Sequence, residues 1–239
     1  MNQATIDNII RVNKEFYDKV GPDFDKTRQT SWKGWGSIIE IIKDHFGNNS
    51  FSLLDVACGN GRFLATLSGQ PLFGLGIDSN DYLLDQAKKK FGDKAEFQNL
   101  DIINDLDLLS SRKFDVIVAF GITHHIPSKE LRIKWFEKLS DLVSNNGLLI
   151  FTIWNYQVDE KFEANEQINS KIELEEGDYF LGWSDNKNAK RYFHKYSDKE
   201  IKEINQTLNK KGLKQTQKFK SDGKNGELNE YFVYGKFAV

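Results

Sequence analysis

The stretch Leu53-Leu54-Asp55-Val56-Ala57-Cys58-Gly59-Asn60-Gly61-Arg62 decides the fold. It reads as a short buried strand, a tight glycine turn and the opening of a helix. Gly59 and Gly61 can take positive φ and let a ligand approach the backbone where a Cβ would stand in the way. About twenty residues further on, a second apolar run, Leu72-Phe73-Gly74-Leu75-Gly76-Ile77, ends in Asp78. An acid at the carboxyl end of the next strand is placed to accept hydrogen bonds from ribose hydroxyls. The two segments imply a nucleoside-bearing ligand held across a strand–loop–helix–strand unit.

The loop also narrows the ligand. A dinucleotide fingerprint carries a third glycine three positions after the second, and Leu64 stands there instead. Asp55 precedes the glycines; it repels a phosphate but suits a sulfonium or an ammonium. The pattern acid-x-x-x-Gly-x-Gly resembles the first motif of class I S-adenosylmethionine-dependent methyltransferases. That resemblance implies S-adenosylmethionine as cofactor and a Rossmann-like α/β fold: a seven-stranded, mostly parallel sheet with helices on both faces.

Outward from the loop, strands and helices alternate, as a parallel doubly wound sheet requires. Strands are expected at 51–56, 72–77, 95–98, 114–120 and 148–154. The helices between them present Phe63, Leu64 and Leu67; Leu83, Leu84, Ala87 and Phe91; and Leu131, Trp135, Leu139 and Leu142. Ser128 is the expected cap of the last of these. Upstream, Ile6, Ile9, Ile10, Phe16 and Tyr17 recur at helical spacing, a polar loop is expected over 21–30, and Ile38 to Phe46 mark another helix closed by Gly47. Downstream, Ser197-Asp198-Lys199-Glu200 is a capping box for a helix that Gly212 closes. Strands at 213–219 and 230–237 complete the sheet, the second inserted antiparallel. The whole reads as a single domain over 1–239: a helical cap at 1–47, a cofactor core at 48–154, a substrate-side insertion at 155–196, and a closing helix and strands at 197–239.

The 239 residues carry a formal net charge of −2, so no strong nonspecific grip on nucleic acid is advertised. The single cysteine, Cys58, leaves neither an internal disulfide nor a cysteine-based metal site. No apolar run reaches the roughly 18 residues of a membrane span, and a soluble, cytoplasmic protein is expected.

The segment Ala119-Phe120-Gly121-Ile122-Thr123-His124-His125-Ile126-Pro127 follows the fourth strand and lies beside the expected methyl donor. His124 and His125 can serve as general bases or pack the loop through a backbone hydrogen bond. Arg28 and Arg191 can each offer a fork to a carboxylate or phosphate, or form surface salt bridges. Trp154, Tyr192 and Trp183 can stack on a base or fill the core.

The run from Phe114 to Pro127, with Phe151-Thr152-Ile153-Trp154-Asn155-Tyr156, resembles the tRNA wobble-uridine methyltransferases, which esterify the carboxylate of 5-carboxymethyluridine. Thr27-Arg28 with Trp32, Gly177 to Trp183, and Arg191 to Tyr196 are similar to further signatures of that family. The resemblance implies tRNA as substrate and roles for Arg28, Trp154, Arg191 and His125 in the reaction. It implies that Asp55, Ala57, Gly59, Asn60 and Gly61 cradle the methionine part, Asp78 and Ser79 the ribose, and Asp101 and Ile102 the adenine. Phe120 would line the donor pocket. Capping of the next turn is the competing reading for Asp101. The family's eukaryotic members work with a small zinc-binding activator subunit. A small carboxylate or phenolic metabolite is the alternative acceptor, and a non-catalytic, cofactor-binding regulator a more distant one.

Overall fold

The computed structural model describes residues 1–70, 72–155, 174–183 and 186–237. Tyr156 and the side chain of Trp183 lie outside the described residues. Among those described, seven strands form one sheet in the order β3-β2-β1-β4-β5-β9-β8. They are β1 (Phe51–Val56), β2 (Leu72–Asp78), β3 (Glu96–Asn99), β4 (Phe114–Ala119), β5 (Val143–Trp154), β8 (Leu213–Ser221) and β9 (Asn229–Lys236). A separate hairpin, β6 (Asp178–Trp183) with β7 (Asn186–His194), is antiparallel. The helices are α1 (Gln3–Thr27), α2 (Gly34–Phe46), α3 (Arg62–Thr66), α4 (Asp81–Phe91), α5 (Lys129–Leu142) and α6 (Asp198–Lys210).

β1 pairs in parallel with β2 on one side and β4 on the other. The chain runs outward from β1 through β2 to β3, then returns to start β4 on the opposite side. Ligands bind at such a reversal, beyond the carboxyl ends of the strands. As expected, β9 enters antiparallel, with β5 and β8 as its neighbours.

Because side chains alternate across a strand, neighbouring residues of β1 serve opposite layers. Leu53 packs with Trp35, Ile38, Phe63 and Tyr231; Leu54 packs with Ile117, Trp135, Phe151 and Phe232. Both faces are therefore dry, which is what a central parallel strand needs.

Three local expectations are corrected. α1 does not give way to a loop at 21–30; it continues through Pro22 to Thr27. Its last turns are held from outside by Asn60, whose amide donates to Asp25 at 2.7 Å and to the Arg28 carbonyl at 3.1 Å. Such tertiary contacts outweigh the backbone hydrogen bond that a proline removes. Ser128 makes no capping hydrogen bond and sits at φ 65°. Glu175 does the work instead, accepting from the Lys129 N–H at 2.8 Å. Finally, β5 begins at Val143, and its pairing with β4 shifts register between Phe114 and Val116. The capping box is present as read: Ser197 and Glu200 cap α6 reciprocally.

Among the described residues no helix is long and apolar enough to cross a membrane.

Candidate active site

Two half-sites meet beyond the carboxyl ends of β1, β2 and β4. The first is built by the glycine loop. Ala57, Gly59 and Gly61 all have positive φ. A Cβ on Gly61 would come within 2.9 Å of Phe91, so the loop also needs glycine for close packing. Asp78 ties the loop down: its carboxylate accepts the Gly59 N–H and the Asn80 N–H, each at 2.9 Å. Burial raises the Asp78 carboxyl above its ordinary range, opposed by these hydrogen bonds and one from the half-buried Ser79.

Asp55 ends the same half-site at only 3% exposure, and its Oδ2 has no hydrogen-bond partner. Burial, and then the nearby Asp78 carboxylate, push the Asp55 carboxyl up to about 8 against the pull of Arg62. A buried acceptor left unmet costs about 1–3 kcal/mol, more when charged. The orphaned oxygen therefore asks for a cationic donor, which the ammonium of an amino-acid ligand supplies. The residues fit S-adenosylmethionine on that observation: Asp55 toward the ammonium, the glycine turn along the methionine chain, Asp78 toward the ribose.

Asn60 has a different use from the one expected for its side chain. Its amide donates to Asp25 and to the Arg28 carbonyl, stapling the loop to the end of α1. Asp101 caps its own turn, accepting from the Ile103 and Asn104 N–H groups and from the Asn104 side chain. Ile102, expected against the adenine ring, is corrected to a core residue: it is buried, and its carbonyl accepts from Trp135 Nε1.

Phe120 follows β4 and joins Phe63, Trp35, Trp32 and Tyr231 in an aromatic group at the mouth of this half-site. Arg62 belongs to the same group. Its guanidinium lies 5.2 Å from the Trp32 ring centroid and 5.0 Å from that of Trp35, and it donates to the Thr30 carbonyl. Burial, then Arg28, bring Arg62 down to about 10. Sequence reading passed over Arg62, because a charged residue opening a helix looks like any solvated one.

The second half-site gathers residues distant in the chain. Arg191 of β7 is 8% exposed, with Phe16 and Trp154 rings 5.4 Å and 5.5 Å from its guanidinium carbon. Burial, then Arg191, lower the Arg28 guanidinium, which lies over the Phe24 ring. Phe24 packs against Tyr17, whose hydroxyl accepts from Arg191, so the two arginines border one aromatic cluster. Arg11, Arg112 and Arg132 are paired with carboxylates; among the described residues Arg28, Arg62 and Arg191 are not. Trp154 also stacks on His124 at 4.6 Å.

His125 is not free to act as a base. Its Nδ1 faces the Tyr192 carbonyl at 2.7 Å, and its Nε2 the Tyr17 hydroxyl at 2.8 Å. Burial, then Arg191, hold it down at about 3. The general-base expectation is therefore corrected: His125 is a neutral, fully used ring. His124 is likewise kept neutral, by burial and then by its neighbour His125. Tyr192 is corrected as well. It is fully buried, and its hydroxyl donates to Asp178 at 2.6 Å, so it stacks on no base.

The hairpin carrying Arg191 is held by buried charge. His194 sits between Asp178 and Glu200, and Glu200 and Glu175 both receive Arg132. From α1, Asn13 accepts the Tyr192 N–H and donates to the His125 carbonyl.

Residues 54–149 match the family model of a methyltransferase domain. A tRNA (carboxymethyluridine(34)-5-O)-methyltransferase of Arabidopsis thaliana is 26% identical over 139 residues, 58% of this chain but only 31% of that protein. A protein of Encephalitozoon cuniculi named only as a methyltransferase is 22% identical over 190 residues, 79% of this chain and 82% of that one. Among solved structures, magnesium protoporphyrin IX methyltransferase from Synechocystis with bound S-adenosylhomocysteine superposes with a TM-score of 0.67 at 14% identity, covering 95% of this chain and 99% of that one. With the strand order, the orphaned Asp55 oxygen and the domain match in place, residues 54–149 are a methyltransferase domain on a class I, Rossmann-like fold whose site suits S-adenosylmethionine.

Proposed function

We propose that this enzyme methylates a carboxylate on a nucleoside, and that its acceptor is 5-carboxymethyluridine at the tRNA wobble position. One observation carries the reading: the buried Arg191 and the half-buried Arg28 border one ring cluster, Arg191 over Phe16 and Arg28 over Phe24, and no described carboxylate pairs with either. Two such arginines favour an anionic acceptor, and the guanidinium fork matches a carboxylate. The similarity to the Arabidopsis tRNA (carboxymethyluridine(34)-5-O)-methyltransferase supports the same acceptor.

When bound, the cofactor supplies an electrophilic methyl group. The chain's residues then have little acid–base work to do. A carboxylate is already ionised near neutral pH, so its oxygen needs alignment and desolvation rather than deprotonation. This agrees with a neutral, fully hydrogen-bonded His125. An activator subunit would address the edge at β3, the outermost strand, near which Phe73 of β2 is 75% exposed.

The test is methyl transfer from labelled S-adenosylmethionine to bulk tRNA carrying 5-carboxymethyluridine, with and without a candidate activator. Label is expected at the wobble nucleoside and is lost in Arg191→Ala. Cofactor binding without label in tRNA under either condition would move the acceptor to a small carboxylate or phenol.

A further inference from the structure

Tyr17 of α1 has no assigned role, yet it stands at the centre of the acceptor half-site. Its hydroxyl receives Arg191 Nη1 at 3.3 Å and lies 2.8 Å from His125 Nε2. The direction of each hydrogen bond follows from chemistry alone. A backbone carbonyl only accepts, so His125 must carry its proton on Nδ1, facing the Tyr192 carbonyl. Nε2 is then the acceptor, and the single Tyr17 O–H proton is committed to it. The Tyr17 oxygen is left with lone pairs only, and it turns one toward Arg191 Nη1.

The guanidinium is thereby oriented. One of its terminal nitrogens is spent on Tyr17, while Nε is buried without a hydrogen-bond partner. A guanidinium can bind a carboxylate side-on through Nε and the other terminal nitrogen. We infer that Tyr17 is a positioning residue: it locks Arg191 so that the Nε edge, which carries donors only, meets the acceptor carboxylate. That donor-only edge also sets specificity. A carboxylate accepts at both oxygens, whereas a carboxamide of the same shape turns an N–H₂ toward groups that cannot accept it.

This inference rests on the carboxylate reading, and one experiment separates the two. KM and kcat are measured for tRNA bearing 5-carboxymethyluridine, and equilibrium binding is compared for 5-carboxymethyluridine and its carboxamide analogue, in wild type, Tyr17→Phe and Arg191→Lys. Wild type is expected to prefer the carboxylate by about tenfold or more, as one buried hydrogen-bonding mismatch implies. In Tyr17→Phe, KM rises about tenfold, kcat changes far less, cofactor affinity is unchanged, and the preference for carboxylate shrinks. A merely structural role would weaken both nucleosides equally and leave the preference intact, which overturns the inference. Arg191→Lys keeps the charge and loses the Nε edge, so it must lose the same preference; full retention also overturns it. If wild type itself shows no preference, the carboxylate reading fails and takes the inference with it.

Discussion

At the residue scale, the sharpest consequence belongs to Asp55. Its carboxyl titrates near 8 in the unliganded protein because burial and Asp78 oppose its charge. A cationic ligand must find it ionised, so cofactor binding releases a proton below that value. Affinity for S-adenosylmethionine is expected to rise between pH 6 and 8, by about tenfold per unit at most, and Asp55→Asn should bind more weakly with a flatter profile. Isothermal titration in buffers of different ionisation enthalpy counts the proton. Stability carries the opposite sign. The folded carboxyl lies above its unfolded value, so the folded apo protein holds more protons and stability falls as pH rises from about 4 to about 8. His125 gives a second prediction at this scale. Held near 3 and bonded at both nitrogens, it titrates outside the working range. The pH profile of kcat, which reports groups in the bound complex, is expected to be flat from pH 6.5 to 8.5. An inflection abolished by His125→Asn would restore the histidine as a base.

At the element scale, the β6–β7 hairpin matters most, because it delivers Arg191. Its hold is the row Asp178, His194, Glu200 and Arg132 rather than apolar area alone. Burial opposes the charged form of His194, but hydrogen bonds to Asp178 and Glu200 outweigh it and raise the ring above 6.5. Burial likewise opposes the charge on Glu200, yet the hydrogen bonds from His194 and the Ser197 N–H hold its carboxyl below the usual range. The His194 contribution is therefore complete below pH 6.5 and is lost as pH rises through the folded value; the Glu200 contribution is lost in acid. His194→Gln is expected to cost about 3 kcal/mol near pH 6, the cost of breaking a buried pair, and to raise KM for the acceptor through Arg191. Urea denaturation at pH 6 and pH 8 checks it, the gap between wild type and variant narrowing at the higher pH.

These elements differ in how much of them a sequence can show. α2, α4 and β1 through β4 obey a local period or carry a capping residue, and so were legible. The course of α1 beyond Pro22 was not, because Asn60, not the local propensity, keeps it helical. The failure of Ser128 as a cap has the same origin: Glu175 reaches α5 from 46 residues away.

At the scale of the whole molecule, strand order brings Asp55, Asp78 and Phe120 to one crevice, and this much followed from the glycine loop and the alternation of elements. The acceptor side needed long-range packing. Arg28, Trp154 and Arg191 were chosen for their chemistry, and the structure gathers them. Tyr17 escaped because it looked like one more ring on the apolar face of α1; Asn13, one turn earlier on the same face, was the available signal. On the proposed reading the molecule joins a cation-seeking site at the strand ends to an anion-seeking one built by α1, β5 and β7, an arrangement suited to carrying a methyl group from a sulfonium to a carboxylate. The most direct measurement is the base lability of the methyl group that the enzyme transfers to 5-carboxymethyluridine-bearing tRNA. An ester is expected, releasing the label as methanol in mild alkali. Label that survives alkali on a nitrogen, a carbon or a phenolic oxygen would contradict the assignment of the acceptor as a carboxylate.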